Sequence, residues 1–280
     1  MTYSIVARDS STGELGIGVQ SQAFNTGAAV PWARPGVGAV ATQSFTDRRY
    51  GWRGLELMEA GASPAEALDR LRADDELVEM RQVAIIDPAG AVAQHTGAAC
   101  IPAAGHVSDV DWAAQGNMLA SERAWHEMGA AFERAEGTLA QRLLAALDAA
   151  EATGGDWRGR GGAAILVVPA EGSAWERVID LRVEEGDGSL VELRRLVDRA
   201  EAYRETNRAS RGRAELGTQR GLPERYVEWL AFLDAAADGD VAVARERLRA
   251  LEAVHPGWRG YARAMAMHPD FPALGEILAE

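Results

Sequence analysis

Thr2 is the residue of this chain whose chemistry can be complete by itself. Once Met1 is removed, it carries a hydroxyl nucleophile and, on its own α-amino group, the base that takes the proton. An α-amine with an ordinary pKa of about 7.7–8.0 is partly neutral near neutral pH, so it can serve in that role. Many chains begin Met-Thr, and the dipeptide alone carries little weight. Further polar groups stand where strands are expected to end: Ser21, Gln43, Thr46, Asp47, His95, Thr96, Gln115 and Asn117. Amides and hydroxyls at such positions can orient a substrate or donate to a developing oxyanion.

Other chemistries find less support. Gly154-Gly155-Asp156 lies between a helix and a strand, the reverse of a dinucleotide fingerprint, and no Gly-Lys-Ser/Thr phosphate loop occurs. His95, His106, His126, His255 and His268 include no i, i+4 pair, and Cys100 has no second cysteine, so no metal set is read and no cofactor is expected. Cys100 sits among Ala98, Ala99 and Ile101, the setting of a buried thiol rather than of a nucleophile. The Gly-x-Ser-x-Gly elbow is missing.

The elements that must position Thr2 follow from alternation and punctuation. Thr2, Ser4 and Val6 fall on one face of a first strand, and Tyr3, Ile5 and Ala7 on the other. Asp9 to Glu14 is a turn and Leu15 to Ser21 a second strand, together a hairpin. Gly16 and Gly18 share one face of it, leaving that face smooth for another layer. A loop through Pro31, Trp32 and Pro35 leads to a strand over 37–43. Helices are expected over 53–60, ended by Gly61, and from Pro64, where Ser63 and Glu66 supply a cap. Strands over 82–86 and 91–95 flank Asp87-Pro88-Ala89-Gly90, a type I turn sequence. A short strand at 112–116 precedes helices over 122–134 and 139–152, then strands over 163–168 and 175–183. From Ser189 onward the pattern is helical: 190–204, then 224–237 and 241–254 around Asp238-Gly239-Asp240, and one or two short helices to the end. Strands and helices come in runs, which points to antiparallel sheets with segregated helix layers.

The chain has 280 residues with a formal charge of -13, a balance that argues against nucleic-acid binding. One cysteine rules out an intrachain disulfide. The alternating N-terminus is not read as a signal peptide, and no apolar run is long enough to cross a bilayer. A cytoplasmic protein without a leader is the expectation.

Thr2-Tyr3-Ser4-Ile5-Val6-Ala7-Arg8-Asp9, Gly13-Glu14-Leu15-Gly16, Val30-Pro31-Trp32-Ala33 and Gly36 to Gln43 resemble the bacterial domain-of-unknown-function 1028 family. So do Tyr50-Gly51, Gly54-Leu55, His95-Thr96-Gly97, Gln115-Gly116-Asn117 and Gly155-Asp156-Trp157-Arg158-Gly159-Arg160. The resemblance runs from Thr2 to about Arg204. It implies a fold similar to the N-terminal-nucleophile (Ntn) hydrolases, a superfamily that cleaves amide bonds with an N-terminal Thr, Ser or Cys. Carried over by position, it implies Thr2 as nucleophile and its amine as base. It also implies Asn117 and Gln115 as substrate or oxyanion donors, and Asp156 as the acid that supports the amine in proteasome-like members. Gln20, Ser21 and Gln43 occupy strand ends where the superfamily often places polar or basic groups. Two departures stand out: Gly161-Gly162 replaces the family's common Gln-Ser, and no lysine stands where proteasome-like enzymes keep theirs.

The expected architecture is α+β: a four-layer α-β-β-α sandwich of two antiparallel sheets between helices over 1–207, a linker at 208–222 and an all-α, TPR-like helical hairpin over 223–280. The expected function is hydrolysis of a small amide, ureide or short peptide. Thr2, Asp156 and Asn117 would be catalytic, and Ser21, Gln43, His95, Thr96 and Gln115 would bind substrate. The alternative is a non-catalytic protein of the same fold that holds a ligand or cell-wall fragment. A homo-oligomer is expected, with no nucleic-acid or membrane partner, no metal and no cofactor.

Overall fold

The computed structural model describes residues 2–212, 223–267 and 274–279. Met1 and most of the segment read as a linker therefore lie outside the described residues. The chain divides into two compact units, Met1–Val197 and Asp198–Glu280.

The first unit contains β1 (Thr2–Arg8), β2 (Leu15–Ser21), β3 (Pro31–Arg34), β4 (Gly38–Ser44), α1 (Arg49–Glu59), α2 (Pro64–Ala73), β5 (Arg81–Ile86), β6 (Val92–Thr96), β7 (Gly105–Asp109), β8 (Trp112–Asn117), α3 (Ala124–Arg134), α4 (Leu139–Ala152), β9 (Gly162–Val168) and β10 (Ile179–Val183). A long helix, α5 (Ser189–Gly212), begins in this unit. The strands form a six-stranded sheet, ordered β10-β9-β2-β1-β8-β7, and a four-stranded sheet, ordered β3-β4-β5-β6. Every pairing is antiparallel.

Register decides which side chains meet. Thr2 lies opposite Ser21 on one neighbour and Asn117 on the other, so all three point to the same face. That inner face continues through Val6, Ile17, Val19 and Ala113, which pack on Ala39, Ala41, Ala84 and Ile86 of the second sheet. The outer face of the six-stranded sheet carries α3 and α4, and the outer face of the other carries α1 and α2. The first unit is thus the expected α+β sandwich of four layers.

Local chemistry explains the boundaries. The β1–β2 turn is shaped by Asp9, whose carboxylate accepts from the backbone of Ser11 and Thr12, while Gly13 supplies a φ of 73°. Both Ser63 and Thr138 form capping boxes, with Glu66 and Gln141, at the starts of α2 and α4. Gly16 lets α4 sit close: a Cβ there would lie 2.9 Å from Leu143 Cδ1.

Two strands escape the sequence pattern. β3 occupies part of the segment read as a loop, with Pro31 tolerated because it opens an edge strand whose outer side needs no donor. β7 is a polar edge strand, Gly-His-Val-Ser-Asp, too exposed to alternate cleanly. Helix α1 starts at Arg49 rather than 53, and β10 at Ile179 rather than 175. Helix α5 runs to Gly212, into the segment read as a linker.

The second unit holds α6 (Glu224–Ala237), α7 (Val241–Val254), α8 (Gly257–Met265) and α9 (Leu274–Ile277). Gly239, at φ 73°, turns the chain between α6 and α7, and Asp240 caps α7 through Val243 N. Trp229 anchors the core, its ring 4.6 Å from Tyr261 and 4.9 Å from Phe232. Among the described residues no helix is long and apolar enough to cross a membrane.

Candidate active site

Thr2 opens a central strand and is almost completely buried. Its hydroxyl donates to Ser21 Oγ at 3.0 Å, and Ser21 Oγ also accepts from Ala23 N at 3.1 Å. Strand alternation puts Ser4 next on the same inner face, so polar groups rather than apolar ones fill this end of the inter-sheet layer.

The filling is a network of four amides, Gln43, Gln82, Gln115 and Asn117, all fully buried. Backbone carbonyls fix the orientation of each, because only an amide nitrogen can face a carbonyl oxygen. Gln43 Nε2 donates to Thr2 O at 3.1 Å and to Gln82 Oε1 at 2.7 Å. Gln115 Nε2 donates to Ala41 O at 3.1 Å and to Ser4 Oγ at 3.2 Å, and Ser4 in turn donates to Gln43 Oε1 at 2.7 Å. Asn117 Nδ2 donates to Gln82 Oε1 at 2.9 Å and reaches Thr2 O at 3.5 Å. Gln82 Nε2 faces Gly116 O, Gly105 O and Thr96 Oγ1 at 2.8, 3.1 and 2.9 Å. Thr96 Oγ1 also lies 2.8 Å from His106 Nδ1, a hydrogen bond that extends the network to the edge strand.

Six of the eight residues expected at the site thus meet: Thr2, Ser21, Gln43, Thr96, Gln115 and Asn117. Asp156 stands beside them, not within the network. Its carboxylate accepts from Gln22 N and Arg158 N, each at 2.9 Å, and pairs with the Arg158 guanidinium at 3.3 Å. It therefore holds the chain just after Ser21. His95 lies opposite Val83, one residue out of phase with Gln82 and Thr96, so its ring turns to the outer face and bonds Val78 O at 2.9 Å. Gln20 is likewise out of phase: it lies opposite Tyr3, on the outer face. Tyr3 itself donates to Glu151 Oε2 at 2.8 Å, and burial, with Glu151 alongside, raises its phenol pKa well above the usual value.

Sequence reasoning missed Gln82. It was counted into the strand Gln-Val-Ala-Ile-Ile, although it shares the inner face with Ala84 and Ile86, where a long amide is out of place. That mismatch was the available signal.

Loops surround this end of the sheets. Phe24, Phe45 and Trp157 follow Ser21, Ser44 and Asp156 and are 69%, 50% and 60% exposed. The Phe45 loop is fixed from behind: Arg81 Nη1 donates to Phe45 O at 2.5 Å, and its Nε to Asp75 Oδ2 at 2.7 Å. Tyr50 donates to the same Asp75 oxygen at 3.0 Å. Bonding to Arg81 holds the Asp75 carboxyl down at a pKa of about 2. Among the described residues, no group of three His, Cys, Asp or Glu side chains is arranged to hold a metal ion.

The family model described as a family of unknown function, DUF1028, matches residues 2–193. A crystal structure of a Silicibacter pomeroyi protein assigned to the same family is 29% identical, with a TM-score of 0.65, over 71% of this chain and 88% of that one. Anbu, an ancestral β-subunit from Yersinia bercovieri, is 12% identical with a TM-score of 0.35, over 79% of this chain and 99% of that one. No curated protein matches.

Proposed function

The chain belongs to the DUF1028 family of unknown function, and from that premise we propose that it is an amide hydrolase of the N-terminal-nucleophile type, acting on a small amide, ureide or short peptide through Thr2. The observation that carries this reading is the setting of Thr2. It is the first residue of a central strand, its hydroxyl is paired with Ser21, and its carbonyl is held by Gln43 and Asn117.

In this reading, cleavage of the chain before Thr2 frees the α-amine. Thr2 Oγ1 attacks the substrate carbonyl while the amine takes the hydroxyl proton. The proton then passes to the departing nitrogen as the C–N bond breaks, leaving an ester that water hydrolyses. Each of the 29 basic residues is arginine, so no lysine of this chain can replace the amine as base. Asn117 Oδ1 is buried and, among the described residues, without a partner. It offers an acceptor beside Thr2 for the freed amine or for a substrate N–H. Asp156 acts as a positioning residue, through Gln22, and the exposed Phe24, Phe45 and Trp157 offer apolar contacts for the substrate.

One observation favours the second reading, a ligand-binding protein without catalysis. Both amide hydrogens of Gln43 and of Gln115 are committed within the network, which leaves the long Asn117–Thr2 bond as the one most readily given up to an oxyanion. The deciding experiment is N-terminal sequencing with intact mass, followed by an amide-substrate screen of wild type against Thr2→Ala. A chain that begins at Thr2 and loses hydrolysis in the variant supports the enzyme. A chain that quantitatively keeps Met1 sinks it.

A further inference from the structure

Away from Thr2, a cavity of about 300 Å³ opens between α1 and α2, walled by Arg49, Tyr50, Arg53, Leu57, Arg70 and Leu71, with Asp74 and Asp75 at its end. We propose that this cavity binds a small organic anion, an oxyanion of the carboxylate or phosphate class, through Arg53 and Arg70.

The charges on the wall are not equivalent. Arg49 is engaged with Asp47, its Nε and Nη2 reaching both carboxylate oxygens at 2.6 to 3.1 Å. Asp75 is satisfied by Arg81 and Tyr50. Among the described residues neither Arg53 nor Arg70 makes an ion pair; Glu66, one turn before Arg70, is bound to Ser63 in the capping box. Two acids oppose them: Asp74, which is exposed, and Glu66, whose charge acts on Arg70. In a chain with a net charge of -13, the lining itself carries three arginines against two aspartates, and Arg53 and Arg70 keep guanidinium donors outside any ion pair among the described residues.

The rest of the wall narrows the ligand. A guanidinium presents paired donors that fit a carboxylate or phosphate. Leu57 and Leu71 add apolar surface, which a bare inorganic ion would leave unused. The volume has room for about ten water-sized groups, at the lower end of small-molecule sites. The floor is preformed, because the Asp75–Arg81–Tyr50 cluster is hydrogen-bonded before any ligand arrives.

The test is calorimetric titration of the full chain with succinate and with inorganic phosphate at fixed ionic strength. Wild type, Arg53→Gln, Arg70→Gln, the double variant and Thr2→Ala are compared. Saturable binding with a dissociation constant of about 1 mM or tighter is expected for at least one probe. Each single variant should weaken it about tenfold, as loss of a charge-assisted pair does, and the double variant should abolish it. Saturation by succinate alone assigns a carboxylate ligand, and saturation by phosphate a phosphate-bearing one. Thr2→Ala should bind as wild type, which separates this site from the Thr2 reading. The absence of saturation by either probe, wild-type binding in the double variant, or loss of binding in Thr2→Ala would each overturn the proposal. Both arginines are exposed, so the variants should keep the wild-type melting temperature without ligand.

Discussion

Gln43, from the four-stranded sheet, donates to the backbone carbonyl of Thr2, from the six-stranded sheet, at 3.1 Å. The residue that opens β1 is thereby held by the opposite layer, and the same nitrogen joins it to Gln82. Fixing the carbonyl fixes the plane from which the Thr2 hydroxyl projects.

The first prediction concerns Thr2 itself. Thr2→Ala should lower amide hydrolysis by about a thousandfold or more, while Thr2→Ser retains measurable turnover. Stability should change by no more than about 1 kcal/mol, since one hydrogen bond to Ser21 is lost. Because the chain has no lysine, an amine-reactive label reports on the N-terminus alone, and the mass of the labelled terminal peptide shows whether the amine is that of Met1 or of Thr2.

Gln43→Met removes the amide but keeps the length. It leaves Thr2 O, Gln82 Oε1 and the Ser4 hydroxyl short of a partner. The expected cost is about 2–4 kcal/mol in urea denaturation, from orphaned buried groups in one network. A loss below about 0.5 kcal/mol would mean that water replaces the amide at no cost.

The Asp75–Arg81 pair should appear in the pH dependence of stability. The folded-state pKa of Asp75 is lowered to about 2, against an unfolded value of about 3.9. Its contribution, at most about 2–3 kcal/mol, is fully present above the unfolded value and is lost as pH falls toward 2. Asp75→Asn should flatten that acid limb, and Arg81→Met should destabilise at neutral pH by about 3 kcal/mol by stranding the carboxylate. Denaturation midpoints between pH 2 and 6 check both.

Gly16 faces α4, and a β-branched side chain there forces its buried neighbours to move. Leu143 Cδ1, Leu139 Cδ2 and Val167 Cγ2 all stand within 3.1 Å of a built Cβ. Gly16→Val should cost about 1–3 kcal/mol by overpacking, and Leu143→Ala in the same chain should recover part of the loss.

Legibility followed physical cause. The β1–β2 hairpin and the Ser63 cap could be read because alternation and capping residues act locally. β3 and the start of α1 could not, because they depend on each other: the Trp32 indole lies where a side chain at position 51 would be, so a glycine that argues against helix is what allows this one. At the site, Thr2, Ser21, Gln43 and Asn117 were visible as polar groups at strand ends. The outward turn of His95 was set by which residue faces which across β5 and β6, a one-residue matter of phase that composition does not carry.

Gln82 acts as a dowel. It is rooted in one sheet, yet its nitrogen reaches the carbonyls of Gly105 and Gly116 in the other. Sliding the sheets past one another by a single residue, about 3.4 Å, would shear both contacts together. The two plates are therefore pinned in alignment at this end. Hydrogen exchange should find the amides of β5 and β8 among the last in the first unit to open.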